Sequence, residues 1–578
     1  MTLDLTTYTS NRLMSGSARS TLTRLEELRE QFDRHSDRNK AELLDRLAGV
    51  RFRSAKDLER FHELNCFIRA YPDGPLVLER ACANLTGFES RSDLKKFSED
   101  LVNTGISGTR TDCEFYWVTA EWLCRQWPDS LRIRWNEGFR GQARLDALLK
   151  SLVPYAETIL LDEADYSMRE WIEHLKGPDE TDAAFLVRRF GSLTCRDETR
   201  EMLFEDIGIP MSLMPGPGTP SRTNARYAAS GIAWQKRPRS HKRPVLRTEI
   251  RKKPEKVRPL PRSEGRRLVM LARQAMVTRD REVEAFANAS ADDVFVVDWE
   301  RGLQLAGMGA RPERRHIVES VFIFLILNNG VPVGYVQSCV LFGSAETNFY
   351  IFDTFRGADA GWLYARAMAT MHHLTGIDCI VLDPYQLGGF GNTEGLRTGV
   401  WWFYYKMGFR PRDPYVRDLA SREARRVKKN PRYRSPIPIL KELADAEMYF
   451  YLGRKRNDVL SLLPLENVGL HVTRMLARRF GADREEAIAT CVDEASKLLG
   501  LESLRVLSKA ERLAWERWSP LLLTIPGVHE WPARERRAAA EVITAKGSRS
   551  ELDYLRKLER HPRLRQAITK LARTPPGD

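Results

Sequence analysis

The sequence predicts an α/β domain with a mixed sheet in the middle of the chain, flanked by mainly α-helical N- and C-terminal domains. Three observations predict this. Residues 316–410 pass through strand-like runs of β-branched and aromatic residues broken by two helical periods. Residues 1–205 and those after about 440 carry apolar residues at helical spacing. Between the first helical region and the α/β block, the texture turns dense in Pro, Gly and Ser. The boundaries that follow are a helical domain over 1–205, a Pro-rich basic linker over 206–262, an α/β domain over 263–420 and a helical domain over 440–578.

In the N-terminal region, Leu22, Leu25, Leu28 and Phe32 fall on one helical face, and Asp57–Arg69 repeats the pattern. Further helices are expected at Gln142–Leu152, Ser167–Leu175 and Thr181–Phe190. Phe115, Trp117, Trp122, Trp127 and Trp135 crowd one stretch. A base-stacking surface and a helical core both use such residues; large aromatics dominate cores, and a core is the expectation. From residue 208 the run IGIPMSLMPGPGTPSRTN marks a linker, and five prolines between 238 and 261 break any helix, so residues 208–262 are expected to be extended and mobile.

Composition sets the class. The chain has 578 residues, a 42% hydrophobic content and a net charge of +14. That length suggests three to five domains. No window of about 18 apolar residues occurs, and the longest apolar run, Val321–Leu327, is strand length. The N-terminus lacks the pattern of a secretory signal. Eight cysteines are scattered without a C-x-x-C pair, which suits reduced thiols in a cytoplasm and gives no zinc-site spacing. Adjacent His372 and His373 point apart on a helix, so no metal is expected. Trp234–Arg267 holds 14 Lys/Arg against three Glu, an excess of 11 positive charges out of the chain's +14. Such a stretch suits nucleic acid, through phosphate neutralisation, or an acidic protein surface.

Within the α/β block, HIVESVFIFLIL reads as a strand and Asn328-Asn329-Gly330 as a turn. VPVGYVQSCVLF returns, and Thr347–Phe355 is a third strand. RGADAG leads into the helical period WLYARAMATMHHL. Asp378–Leu382 is a short buried strand. The loop LGGFGNTEG precedes the helix LRTGVWWFYYKM, which Gly408 ends before a last strand at Phe409. Gly389, Gly391 and Gly395 before a helix suggest a dinucleotide fingerprint. Five residues separate this loop from its strand, however, and no acidic residue follows at the right distance.

In that order of elements, Phe355-Arg356-Gly357-Ala358-Asp359-Ala360-Gly361 and Phe403-Tyr404-Tyr405-Lys406-Met407-Gly408-Phe409 resemble two motifs of the GNAT superfamily of acyl-CoA-dependent N-acyltransferases. One is an R-x-x-G-x-G type loop, the other the closing F-Y-x-x-x-G-F. The resemblance covers about 100 residues, near 315–415. It implies a GNAT-like fold and transfer of an acyl group, acetyl above all, from acyl-CoA to an amine. It implies that Phe355, Arg356, Gly357, Ala358, Asp359, Ala360 and Gly361 cradle the pyrophosphate. The physical sense is that a strand-to-helix turn offers backbone N–H groups at the positive end of a helix dipole. Asp359 departs from the family pattern, which commonly has glycine there. Its carboxylate weakens pyrophosphate binding, turns outward, or caps the following helix.

The resemblance also assigns Tyr404 as general acid to the leaving thiolate. The candidate bases are Glu319 and Asp353; Asp353 is expected to be partly buried within its strand and so raised in pKa. It equally suits a salt bridge with Arg356 or Arg366. Asn392, Glu394 and Arg397 are the polar members of the loop that would face the acceptor. The acceptor is an unidentified amine, on a macromolecule in keeping with the large flanking regions. Two alternatives stand beside this. One is a non-catalytic GNAT-like scaffold that has lost CoA and binds RNA or a partner through the basic stretch. The other is an aminoacyl-tRNA-dependent transferase.

Overall fold

The computed structural model describes residues 18–575 apart from 34, 229–230, 238–242, 282, 358 and 502, and the side chain of 160. The chain forms two compact units. One comprises Met1–Arg239, Met270–Asn288 and Asn328–Pro332. The other comprises Ser240–Val269, Ala289–Leu327 and Val333–Asp578.

The first unit is helical, as its periodicity predicts. Ala55–Ala70 is capped by Ser54, whose side chain accepts from Asp57 N, and Gln142–Leu152 and Asp182–Gly191 fall where expected. Phe115, Trp117 and Trp122 are buried in one core, with Trp127 and Trp135 packed against it. These aromatics are therefore core residues. A small sheet joins β1 (Thr111–Cys113), β2 (Leu131–Ile133) and β3 (Met211–Leu213), with β3 in the centre.

The second unit is built on a nine-stranded sheet. Its strands are β4 (Lys256–Pro259), β5 (Ala289–Asp298), β6 (Leu303–Ala310), β7 (Ser320–Asn328) and β8 (Val331–Leu341). They continue with β9 (Ser344–Ile351), β10 (Cys379–Leu382), β11 (Arg410–Pro411) and β12 (Met448–Tyr451). The spatial order is β11-β12-β10-β9-β8-β7-β6-β5-β4. β9 and β10 run parallel, joined by the helix Ala360–Thr375, whereas β8–β9, β10–β12 and β11–β12 are antiparallel. A parallel pair needs such a crossover, and an antiparallel pair does not.

Three expectations need correction. The stretch expected to be an extended linker carries β3, the four-residue helix Leu246–Glu249 and β4. Met211 and Leu213 are buried, and that burial outweighs the local proline content. Part of its basic charge is engaged within the second unit. Arg247 donates to the carbonyls of Tyr451 and Leu452, and Arg258 pairs with Asp298 at 3.0 Å. The third strand begins at Ser344, not Thr347, and ends before Asp353. The helix expected at LRTGVWWFYYKM is two helices, Thr393–Thr398 and Val400–Met407, divided by Gly399 at φ +65°.

The C-terminal helices belong to the same unit as the sheet. Val318, Leu341 and Phe342 at the strand ends share a core with Trp515, Trp518, Leu558 and Ile568. All eight cysteines are free thiols. Among the described residues, no helix is long and apolar enough to cross a membrane.

Candidate functional site

The sheet of the second unit opens between β9 and β10. β9 and β10 pair only through Ser344–Cys379, Ala345–Ile380 and Glu346–Val381. Beyond Glu346, β9 continues alongside β8 as far as Ile351, while β10 ends at Leu382 and turns away into the short helix Pro384–Leu387. Asp383 caps that helix, accepting from Gln386 N at 2.8 Å. The result is a fork between two parallel strands. Gln386 spans it: its side-chain amide donates to Phe349 O at 3.1 Å and to the Tyr404 hydroxyl at 2.6 Å.

A carboxylate stands at the branch point. Glu346 is partly buried on β9, opposite Cys339 on β8 and beside the last paired residue of β10. Burial, reinforced by the like charges of Asp383 and Glu447, pushes its pKa up to about 7. Asp383 is also raised by burial. A carboxyl group that changes charge near neutrality is suited to accept a proton from an amine. Reading the strand from Thr347 onward hides this residue. Its signal in the sequence is a lone acidic residue in SAETNFYI, adjoining the apolar end of a strand.

The residues expected to form the cradle lie in the turn after β9 and at the start of the following helix. Asp353–Phe355 form a single 3-10 turn, with Phe355 N donating to Phe352 O and Arg356 N to Asp353 O. Phe355 is buried, Gly357 is exposed, and Ala358 lies outside the described residues. Ala360 and Gly361 open the helix Ala360–Thr375, where the N–H groups of the first turn have no intrahelical acceptor. A Cβ at Gly361 would lie 3.1 Å from Pro244, a tight fit. Asp359 occupies the N-cap position, but its side chain makes no cap bond to the helix. It is also 3% exposed, so the outward orientation is excluded.

Arg356 is held by carboxylates. It pairs with Glu394 and, at 2.9 Å, with Asp353, and its guanidinium lies 5.1 Å over the Tyr350 ring. The Tyr350 hydroxyl in turn donates to Asp353 at 3.3 Å and to Glu394 at 3.4 Å. The network ties the turn after β9 to the helix Thr393–Thr398.

The three residues expected to do chemistry do not converge. Asp353 follows the strand rather than lying in it, and its side chain is 75% exposed, so the expected burial is absent. It makes the salt bridge with Arg356; Arg366 instead pairs with Glu249 and Glu300. Glu319 precedes β7 and sits near Cys339, whereas Asp353 lies beyond Ile351, which pairs with Gly334. Five residues of β8, about 17 Å, separate those two levels. Tyr404 is 1% exposed, packed against Tyr364 and Phe409. Burial pushes its phenol above the ordinary tyrosine range.

Of the loop residues, Asn392 has a structural role. Its side chain accepts from Gly395 N at 2.9 Å and donates to Tyr385 O at 2.7 Å. Arg397 is exposed, and Glu394 is the only one of the three that reaches the cradle.

No family model matches the chain, and no curated protein or solved structure does.

Proposed function

We propose that the second unit is a GNAT-type N-acyltransferase that binds an acyl-CoA along the open edge of β9 and transfers the acyl group to an amine. The observation that carries this reading is the fork itself. Two parallel strands part after three paired residues, with a strand-to-helix turn at the end of the longer one and a carboxyl of pKa about 7 at the branch.

Each part has a role in the chemistry. Beyond Glu346, β9 has no strand partner on its β10 side; the Phe349 and Ile351 carbonyls accept from the side chains of Gln386 and Arg356, and a pantetheine arm would pair with this edge in their place. The first turn of Ala360–Thr375 offers N–H groups and a positive dipole end to the pyrophosphate, and Arg356 adds a cation next to it. Glu346 replaces Asp353 and Glu319 as the general base. It takes the proton of the acceptor ammonium, freeing the lone pair that attacks the thioester carbonyl. Collapse of the tetrahedral adduct breaks the C–S bond, and the thiolate leaves with a proton. Tyr404 stands across the fork from β9, joined to it by Gln386, and is the phenol assigned to supply that proton.

The test is release of CoA thiol from acetyl-CoA in the presence of a panel of amines. Glu346→Gln should lower turnover about 100-fold or more, the usual loss for a general base. The wild-type rate should fall about tenfold per pH unit below about 7, where Glu346 is protonated. Turnover unchanged in Glu346→Gln would remove the residue from the mechanism.

A second reading has its own support. Arg356 is engaged by two carboxylates and the buried Asp359 stands at the helix N-cap, an arrangement that opposes an anion in the cradle. On that reading the unit is a scaffold without CoA. The exposed Arg251, Lys252, Lys253 and Lys256 then meet an acidic partner or a nucleic acid.

A further inference from the structure

At the opposite end of β8 from the cradle, three side chains of different chemistry meet. His316 and Glu319 precede β7, and Cys339 lies on β8. One ligand atom from each falls within 4.8 Å of the other two, and His316 Nδ1 stands 3.9 Å from a Glu319 oxygen. We propose that His316, Glu319 and Cys339 bind one divalent metal ion of the zinc class, with the fourth position open to solvent.

The donor set argues for the class. An imidazole, a carboxylate and a thiolate together suit zinc and its cobalt surrogate, whereas magnesium and calcium take oxygen ligands. In a tetrahedral zinc site the ligand atoms stand about 3.3–3.6 Å apart, given metal–ligand bonds of about 2.0–2.3 Å. The observed spacing needs only a small inward rotation. His316, whose side chain is 54% exposed, is free to make it.

The two inner ligands are held in place. Cys339 sits in the β8–β9 ladder opposite Glu346. The backbone leading to Glu319 is fixed by Tyr554, which donates to Val318 O at 2.5 Å, and by Lys546, which donates to Glu319 O at 2.7 Å. Local charge also favours a cation. Lys546 and Arg315 are both paired with Glu551, and Arg315 also stands 3.7 Å from Asp293. These four charges balance. The only base within ion-pair distance of the Glu319 carboxylate, among the contacts described, is His316. A dication would offset Glu319 and a deprotonated Cys339 together.

The test is a cobalt titration of the full chain after chelator treatment, read by visible and near-ultraviolet absorption. Wild type should take up one equivalent, with four-coordinate ligand-field bands and a thiolate-to-cobalt charge-transfer band; zinc should bleach both. Cys339→Ser should remove the charge-transfer band. His316→Ala, at an exposed position that does not threaten folding, should weaken cobalt at least tenfold. Absence of the thiolate band in wild type would overturn the site. So would a band that survives in Cys339→Ser, or an affinity unchanged in His316→Ala.

Discussion

Glu346 makes the sharpest claim at the scale of one residue. Its carboxyl holds its proton more tightly in the folded chain than in the unfolded one, where an ordinary glutamate titrates near 4.5. Between that value and about 7 the folded state therefore binds more protons, and stability falls as pH rises. Glu346→Gln removes this dependence. It should raise stability by about 3 kcal/mol at pH 8 and leave it nearly unchanged at pH 4. Denaturant melts at the two pH values check this, and equal effects at both would contradict the raised pKa. The same variant should lose turnover, so stability and activity move in opposite directions, as expected of a catalytic carboxyl whose burial disfavours its charged form. Arg356 gives a second prediction. Glu394→Gln weakens the network that holds the guanidinium and should tighten CoA binding severalfold, measured by titration. Weaker binding would mean that Glu394 orients Arg356 for the anion.

The elements of the fork were partly legible. The runs of β-branched and other apolar residues located β7, β8 and β10 within a few residues, and RGADAG marked the turn into Ala360–Thr375. The start of β9 was not legible, because Ser344-Ala345-Glu346 has no β-branched or aromatic residue and is a strand only through pairing with β8 and β10. β5 and β6 were missed for a related reason: the small and acidic residues of ASADD and LAGMGA dilute the apolar pattern. The exposed side chain of Asp353 was equally hidden, since a strand and a 3-10 turn share that sequence. At Gly399, a helical period runs through a left-handed residue. No heavy atom stands within 4 Å of a Cβ there, so Gly399→Ala tests conformation alone. It should cost about 1 kcal/mol in thermal or chemical unfolding. A stabilising Gly399→Ala would indicate one continuous helix.

Across the whole molecule, the sequence marked the helical character of both ends but not their membership. The C-terminal helices read as a separate accessory region because amphipathic helices carry no record of what covers their apolar face. In the structure their cover is the sheet: Leu341 and Phe342 are fully buried in the core that holds Trp515 and Trp518, and Gly343 N donates to Glu559. A chain ending near residue 462 should therefore fail to give a soluble, cooperatively melting product. A truncated chain that melts cooperatively would show that the sheet folds without these helices. The basic stretch shows the same limit. Its composition predicted charge, but not that Arg247 and Arg258 would be bound internally while Arg251, Lys252 and Lys253 stay exposed.

The central claim is that the turn after β9 and the open edge beside it hold an acyl-CoA. Calorimetric titration of the full chain with acetyl-CoA and with desulfo-CoA tests it most directly, repeated on Arg356→Ala and Glu346→Gln. Micromolar binding that Arg356→Ala weakens about 10- to 100-fold, and that Glu346→Gln leaves intact, is the predicted result. No heat and no thermal shift with either CoA compound would contradict the account and leave the scaffold reading in its place.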